Sequence, residues 1–387
     1  MSARRWRTVR LALGTATALG LGRFGYGLLL PAMATQLEWD LAQAGMLTTA
    51  NGFGYLAGAM VTSRLANRVG TPATFRIGML VCVGSLACTA ATTDYPLLLA
   101  ARAVTGAGGA LVFIAGAALA PTAGYFAGTG LGILAGGGFV PQLLDHHPER
   151  WPAVWICLAV ASGLATAASW SAPDTPGTTP HPEPRRTPRP DRLWPVAVAY
   201  LMFATGYITY ITFLSAYLHD RDASATETSL AWSVLGVAVI VAPGLWHRHL
   251  ARRPERTLAV LLAVISGSAV LTLLVPAPPA VIVSALAYGG TFMIVPAAVT
   301  TLVRANTTPD GLTSALATFT AIFAAGQTAG PWLAGALADR TDPGVTLVWT
   351  AALCGAAAVV TLISGAAGHG RAEPVAADSD VVPTQPR

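Results

Sequence analysis

Arg23 is the residue of this chain best placed to do chemistry. It lies in Gly20-Leu-Gly-Arg-Phe-Gly-Tyr-Gly-Leu-Leu-Leu-Pro31, within an apolar run over 9–34 whose neighbouring charges are Arg10 and Glu38. On a helix rising ~1.5 Å per residue it is roughly 20 Å from either of them. A cation at that depth in a bilayer costs from about 2.5 to well over 10 kcal/mol, so it faces a protein interior or a watery cavity. A guanidinium held there offers paired hydrogen bonds to a carboxylate or a similar anion. Asn51 shares the depth of Arg23 in the next apolar run, between Asp40 and Arg64, and Tyr55 follows one turn later. Antiparallel neighbouring helices could bring Asn51 to Arg23, or Asn51 could simply hydrogen-bond an adjacent helix.

Other polar groups recur at similar depths. Arg102 opens Arg102-Ala-Val-Thr-Gly106-Ala-Gly-Gly109, five residues inside the outer end of its run. From roughly 8 Å deep its long side chain could reach the interface, so a structural and a substrate role both stay open. Gly128, Gly130, Gly132, Gly136, Gly137 and Gly138 crowd one run, which suits either a sliding helix or static close packing. Gln327 precedes Pro331 by one turn; the proline frees a carbonyl and permits a kink, and Gln327 reads as a cavity group or as packing. Tyr207 and Tyr210 lie near mid-membrane in the second half of the chain. Aligning Gly22-Arg23-Phe-Gly-Tyr26 with Gly206-Tyr207-Ile-Thr-Tyr210 makes Arg23 and Tyr207 symmetry mates.

The carboxylates stand apart. All 18 Asp and Glu fall in loops, tails or helix ends, with Asp145 and Asp339 coming nearest to a span. No buried acid is available to neutralise Arg23, so its counter-charge could be the ligand itself. Cys82, Cys88, Cys157 and Cys354 lie within spans without metal-ligand spacing and read as small apolar packing residues. No metal set, cofactor motif, nucleophile elbow or phosphate loop is present, and a chain without lysine cannot build the last; an enzyme is not expected.

The elements that must hold these residues follow from composition. With 53% hydrophobic and 11% charged residues, the chain falls among membrane proteins. Apolar runs near 9–34, 41–63, 73–93, 97–119, 123–144, 151–171, 193–218, 228–247, 257–275, 279–303, 312–338 and 345–366 predict twelve transmembrane helices. With the N-terminus inside, 18 arginines fall in inner segments and only Arg150, Arg221 and Arg340 in outer loops, which puts both termini in the cytoplasm. The net charge of +5 is thus a topology signal, and no nucleic-acid partner is expected. A signal-peptide reading of the first 22 residues loses to an uncleaved first helix, because the apolar run continues past Arg23.

A proline-rich segment reads as a flexible cytoplasmic linker between a bundle over 1–171 and another over 193–367, with the linker at 172–192 and a disordered tail at 368–387. Six spans on either side suggest an internal duplication. One junction is odd. No charge occurs between Arg102 and Asp145, so spans four and five must be joined by a turn near Pro121-Thr-Ala-Gly124 that lacks the arginine of other inner loops.

Several motifs carry a family resemblance: Gly22-Arg23-Phe24-Gly-Tyr26 with Leu29-Leu30-Pro31, Ala50-Asn51-Gly-Phe-Gly54-Tyr55-Leu56-Ala-Gly58, Gly206-Tyr207-Ile208 with Thr212-Phe213, and Gly326-Gln327 with Gly330-Pro331 and Gly335. With these the chain resembles the major facilitator superfamily, and within it the YbfB/YjiJ-like branch of bacterial transporters. The resemblance implies an all-α membrane protein of twelve transmembrane helices in two pseudo-symmetric six-helix bundles, working by alternating access. Arg102 with Gly106 looks like that superfamily's fourth-helix arginine motif. Ser63-Arg64-Leu65-Ala66-Asn67-Arg68-Val69-Gly70 resembles its loop between helices two and three, which implies gating roles for Arg64 and Arg68, although Asn67 replaces the usual aspartate. The fifth span lacks the proline of the drug/proton antiporter signature.

The expectation is a monomeric secondary transporter in the cytoplasmic membrane that moves a small organic solute, an anion, bound by Arg23, Tyr26, Asn51, Tyr55, Arg102, Tyr207, Tyr210 and Gln327. Gly106, Gly136, Pro331, Arg64 and Arg68 would serve packing and gating. Proton-driven efflux of apolar or cationic compounds is the alternative, with a proton as coupling ion. A non-transporting sensor has no segment long enough to fold as a signalling domain.

Overall fold

A computed structural model describes residues 3–120, 123–174, 193–275 and 277–369. Among the described residues, twelve long helices and short connections account for the chain. These are α1 over 3–37, α2 (Leu41–Val69), α3 (Thr71–Ala90), α4 (Tyr95–Leu119), α5 (Ala123–Leu144) and α6 (Trp151–Ser169). The second half supplies α7 (Leu193–His219), α8 (Ala225–Arg252), α9 (Pro254–Leu274), α10 (Pro278–Asn306), α11 (Pro309–Ala338) and α12 (Val345–His369). Most of the proposed linker and the tail lie outside the described residues.

Helices are the natural form for such a sequence, because a backbone in hydrocarbon must satisfy its own hydrogen bonds. Their starts carry the expected signals. Asp40 and Ser224 form capping boxes with Gln43 and Glu227, while Asp94 and Thr308 cap α4 and α11. Several helices outrun their apolar runs. α2 continues to Val69 and α8 to Arg252, since a helix whose last turns carry Arg64, Arg68, Arg248 and Arg252 can extend into water at no desolvation cost. Two are not regular throughout. α1 is π-helical over Ala16–Phe24, and α10 tightens into a 3₁₀ turn at Phe292–Ile294.

Nine helices, α3 to α10 and α12, are long and apolar enough to cross a membrane by length and composition among the described residues. The other three are informative. α1 is broken by its π segment, and α2 and α11 are diluted by groups such as Gln43, Thr48, Asn51, Thr320, Gln327 and Thr328. The same three helices bring together the polar centre described below.

The packing has internal symmetry. In the first half α4 packs on α2 and α3, α6 on α3, and α5 on α1; in the second α10 packs on α8 and α9, α12 on α9, and α11 on α7. Adding six to each number converts one set into the other. The two bundles meet through α2 with α11 and α5 with α8, and these pairs are also images under that shift. Gly106 of α4 lies directly against the Asn51 carbonyl of α2, and Gly54 of α2 against the Ala103 carbonyl, so these two backbones touch. Gly106→Val should therefore force α4 and α2 apart. Overpacking of this kind costs about 1–3 kcal/mol, and thermal unfolding in detergent should show a clear loss of stability, whereas an unchanged midpoint would contradict the contact.

The charge-poor junction between α4 and α5 finds its arginine in space. Pro121 and Thr122 lie outside the described residues, but Arg7 of α1 donates from Nη1 to the Leu119 carbonyl (3.0 Å) and from Nε to the Ala172 carbonyl (3.1 Å). Arg10 similarly donates to the Ala168 carbonyl at 2.7 Å. Cations at helix C-termini satisfy free carbonyls and complement the macrodipole. A linear count of charges per loop misses this, because the cation belongs to a different segment.

Candidate functional site

The centre is built by the interruption of α1. In its π segment the Gly25 N–H bonds the Gly20 carbonyl, five residues back, and carbonyls of this irregular stretch also accept from a side chain. That side chain is Arg102. Its Nη1 donates to the Gly22 carbonyl at 2.7 Å and its Nη2 approaches the Arg23 carbonyl at 3.5 Å. The Arg102 guanidinium also lies 5.2 Å from the Tyr26 ring centre and 5.4 Å from that of Trp155. With 0% of its surface exposed, Arg102 does not snorkel. It clamps the backbone on which Arg23 is mounted.

Arg23 itself is 6% exposed and points toward the second bundle. Its Nη2 donates to Oε1 of Gln327 on α11 at 2.8 Å, and its guanidinium sits 5.5 Å from the Tyr55 ring centre on α2. Tyr207 of α7 donates its hydroxyl to the same Gln327 oxygen at 3.4 Å. The pseudo-symmetric mates Arg23 and Tyr207 thus converge on one acceptor from opposite bundles. The symmetry extends to their support. Tyr288 of α10 donates to the Tyr207 carbonyl, as Arg102 of α4 donates to the carbonyls of Gly22 and Arg23.

Four of the eight expected ligand-binding residues, Arg23, Tyr55, Tyr207 and Gln327, come together. The other four are engaged elsewhere. Tyr26 donates to the Ala44 carbonyl at 2.7 Å, and Tyr210 pairs with the Ser284 hydroxyl at 2.7 Å while stacking on Tyr288. Asn51 donates to the Arg102 carbonyl at 3.1 Å, joining α2 to α4 instead of meeting Arg23. Of the packing and gating set, Gly106 seals α4 to α2 and the Pro331 carbonyl abuts Gly45 of α2. Gly136 sits against Leu28 with modest room, and Arg64 and Arg68 are exposed at the arginine-rich end of α2.

Three donors here lack acceptors: Nε of Arg102, inside the first bundle, and two that lie between the bundles. Nε of Arg23 and Nε2 of Gln327 are buried and unpaired, although Gln327 is 0% exposed. No carboxylate among the described residues lies within ion-pair distance of Arg23. A buried donor without a partner costs about 1–3 kcal/mol, more when charged, so the centre is short of acceptor oxygens. No cluster of His, Cys, Asp or Glu among the described residues could hold a metal.

Aromatic side chains that the sequence reading passed over wall this centre. Phe323, one turn before Gln327, stacks with Tyr200 (5.1 Å) and Tyr207 (5.7 Å), and Phe292 lies 5.8 Å from Phe24 across the bundles. A signal was present: Phe319, Phe323 and Gln327 recur every four residues, so they share one face of α11.

A family model described as an uncharacterised MFS-type transporter, YbfB, matches residues 15–366. The chain belongs to that family. No curated protein matches it. Among solved structures it is similar to the nucleoside transporter NupG, at 12% identity and a TM-score of 0.67, with 94% of this chain and 99% of that one covered. It is similar also to a bacterial homologue of the human lysosomal transporter Spinster, inward-facing and unoccupied, at 14% identity and a TM-score of 0.66 over 94% and 96% of the two chains. The human organic anion transporter MFSD10 aligns at 15% identity and a TM-score of 0.60, covering 93% of this chain and all (100%) of that one. Identities this low speak to fold alone. This MFS chain is therefore a multi-pass membrane protein with a transporter fold, and its polar centre lies where the two bundles of that fold meet.

Proposed function

We propose that this MFS protein moves a small organic anion across the bacterial cytoplasmic membrane by alternating access, with Arg23 and Gln327 as its binding pair and both termini in the cytoplasm. The observation that carries the reading is the pair of buried, acceptor-less donors, Arg23 Nε and Gln327 Nε2, beside a guanidinium with no acid partner. A carboxylate supplies the missing acceptors and the missing charge at once. A cationic solute would meet the uncompensated Arg23 charge, which disfavours efflux of cationic compounds. Because Arg23 belongs to one bundle and Gln327 to the other, a ligand bound between them is positioned to couple to their relative movement. Counterflow of radiolabelled carboxylates into proteoliposomes tests this. Saturable exchange of at least one carboxylate above empty vesicles is expected, and exchange confined to neutral or cationic compounds would contradict it.

The face opposite the arginine-rich one is held shut by a contact between bundles. Asp339, at the end of α11, accepts from the Leu41 N–H (2.8 Å) and the Ala42 N–H (2.9 Å) at the start of α2. A carboxylate at a helix N-terminus satisfies free donors and faces the positive end of the dipole. Alternating access requires this latch to break. Asp339→Ala should weaken it by about 0.5–2 kcal/mol, as loss of a cap does, and shift the population toward opening on that face. Spin labels on the ends of α2 and α11 should report longer distances in the variant; identical distance distributions would exclude the latch.

A further inference from the structure

Beyond the polar pair, the ring-bearing side chains beside it narrow the class of anion. α2 and α11 touch where Gly45 meets Pro331 and where Gly52 meets Thr328. Along the same stretch each helix also packs on its own bundle: Gly54 and Gly58 of α2 on Ala103 and Ala107 of α4, and Gly326 and Gly330 of α11 on Leu201, Ala204 and Thr205 of α7. Tyr55 and Phe323 lie beyond Gly52 and Thr328 toward the arginine-rich face, one from each bundle. Both are partly exposed, although each is deep in its helix. Tyr55 lies under the Arg23 guanidinium, and Phe323 stacks on Tyr207, whose hydroxyl reaches Gln327. The two part-open rings therefore flank the two unpaired donors.

Simple core filling does not account for this arrangement. Leucine or valine would bury apolar surface equally well, whereas rings add flat faces. On the side of α11 those faces are close to parallel. Phe323 is tilted by 19° from Tyr207 and by 19° from Tyr200, and Phe203 by 14° from Tyr207. Phe323 is thus a part-exposed member of a set of aligned rings, which suits a further planar ring in offset stacking. Tyr55, from the other bundle, offers a second ring already engaged with the Arg23 cation.

We propose that the solute is an aromatic carboxylate, its acid group taken by Arg23 and Gln327 and its ring received between Tyr55 and Phe323. This rests on the anion reading above and adds to it a planar ring attached close to the acid. The donors and the rings are within one helical turn of each other, so acid and ring must be adjacent in the ligand. The class is that of benzoate and 2-naphthoate, not of long-chain fatty acids.

Titration of the purified full-length protein with matched probes tests it: benzoate and 2-naphthoate against cyclohexanecarboxylate and decahydro-2-naphthoate, with benzamide and benzylamine as uncharged and cationic controls. The charge and size of each acid pair are held constant, so only planarity changes. Stacking on two rings should favour the aromatic acids by about tenfold, and Phe323→Leu should shrink that ratio to about two while the saturated acids bind as before. Equal affinity for aromatic and saturated acids overturns the aromatic inference and leaves the anion reading standing. A preference unchanged by Phe323→Leu overturns the placement of the ring. Binding of benzamide or benzylamine in preference to both kinds of acid overturns the anion reading as well. Should Phe323→Leu fail to fold, the wild-type ratio alone still decides the aromatic inference, and Tyr55→Leu takes its place in testing where the ring sits.

Discussion

Replacing Arg23 by alanine should abolish the proposed carboxylate transport in proteoliposomes, and replacing it by lysine should restore only part. The alanine variant removes one partner of a buried, hydrogen-bonded charge pair, a loss of about 2–5 kcal/mol, or roughly 30-fold to several thousand-fold in affinity. Lysine keeps the charge but offers a single compact ammonium. It cannot hold Gln327 Oε1 and present a second, coplanar donor to the ligand in the way the guanidinium does through Nη2 and Nε. The fold should survive both changes. Arg23 is a buried cation without an acid partner, and removing it relieves a desolvation cost. A variant with wild-type thermal stability and no transport separates binding from folding, whereas full transport by Arg23→Ala would remove the residue from the mechanism.

Arg102→Ala should destabilise the whole first bundle. The side chain is fully buried, bonds the Gly22 carbonyl, approaches that of Arg23, and lies within 5.4 Å of two aromatic ring centres. Alanine removes the donor from these carbonyls and opens a space between Tyr26 and Trp155. Losing a buried hydrogen bond from a charged donor costs about 1.5–3 kcal/mol, and the cavity adds to it, so thermal unfolding in detergent should begin well below the wild-type midpoint. Arg102→Lys should recover part of this by donating to one carbonyl. A midpoint within a degree or two of wild type in Arg102→Ala would show that the π segment of α1 holds its shape unaided.

Much of the architecture was legible because hydropathy is a property of segments. The twelve apolar runs match twelve helices, and the Gly22/Gly206 alignment pairs Arg23 with Tyr207, which meet at Gln327. What escaped is direction around the helix. Counting from the nearest charge gives the depth of Arg102 and Tyr210 but not the side of the helix they occupy. Both face neighbouring helices, Arg102 toward α1 and Tyr210 toward α10. Depth also ranked Asn51 beside Arg23, whereas the close Gly106 contact turns it toward the α4 backbone. The aromatic wall escaped for a different reason. Phe292 and Phe323 are indistinguishable in a hydropathy profile from side chains that face lipid, and only their spacing relative to Gln327 sets them apart. The π segment left no trace in composition beyond Gly20 and Gly22, which read equally well as packing residues.

These failures share a cause. Membrane helices are chosen from sequence by their mean, and function is carried by the exceptions to that mean. α1, α2 and α11 are the helices that fall short of a plain apolar span, and they supply Arg23, Tyr55 and Gln327.

The central claim is that two unpaired donors between the bundles await an anion. It is tested most directly by thermal unfolding of the purified protein against a panel of carboxylates, each measured beside its own primary amide. A ligand that binds the native state raises its stability in proportion to the logarithm of its concentration over Kd, so the midpoint reports binding without assuming a direction of transport. The expected result is that some carboxylates raise the midpoint, their amides do not, and Arg23→Ala loses the response. Amides that stabilise as well as their acids, or a response that survives in Arg23→Ala, would contradict the claim.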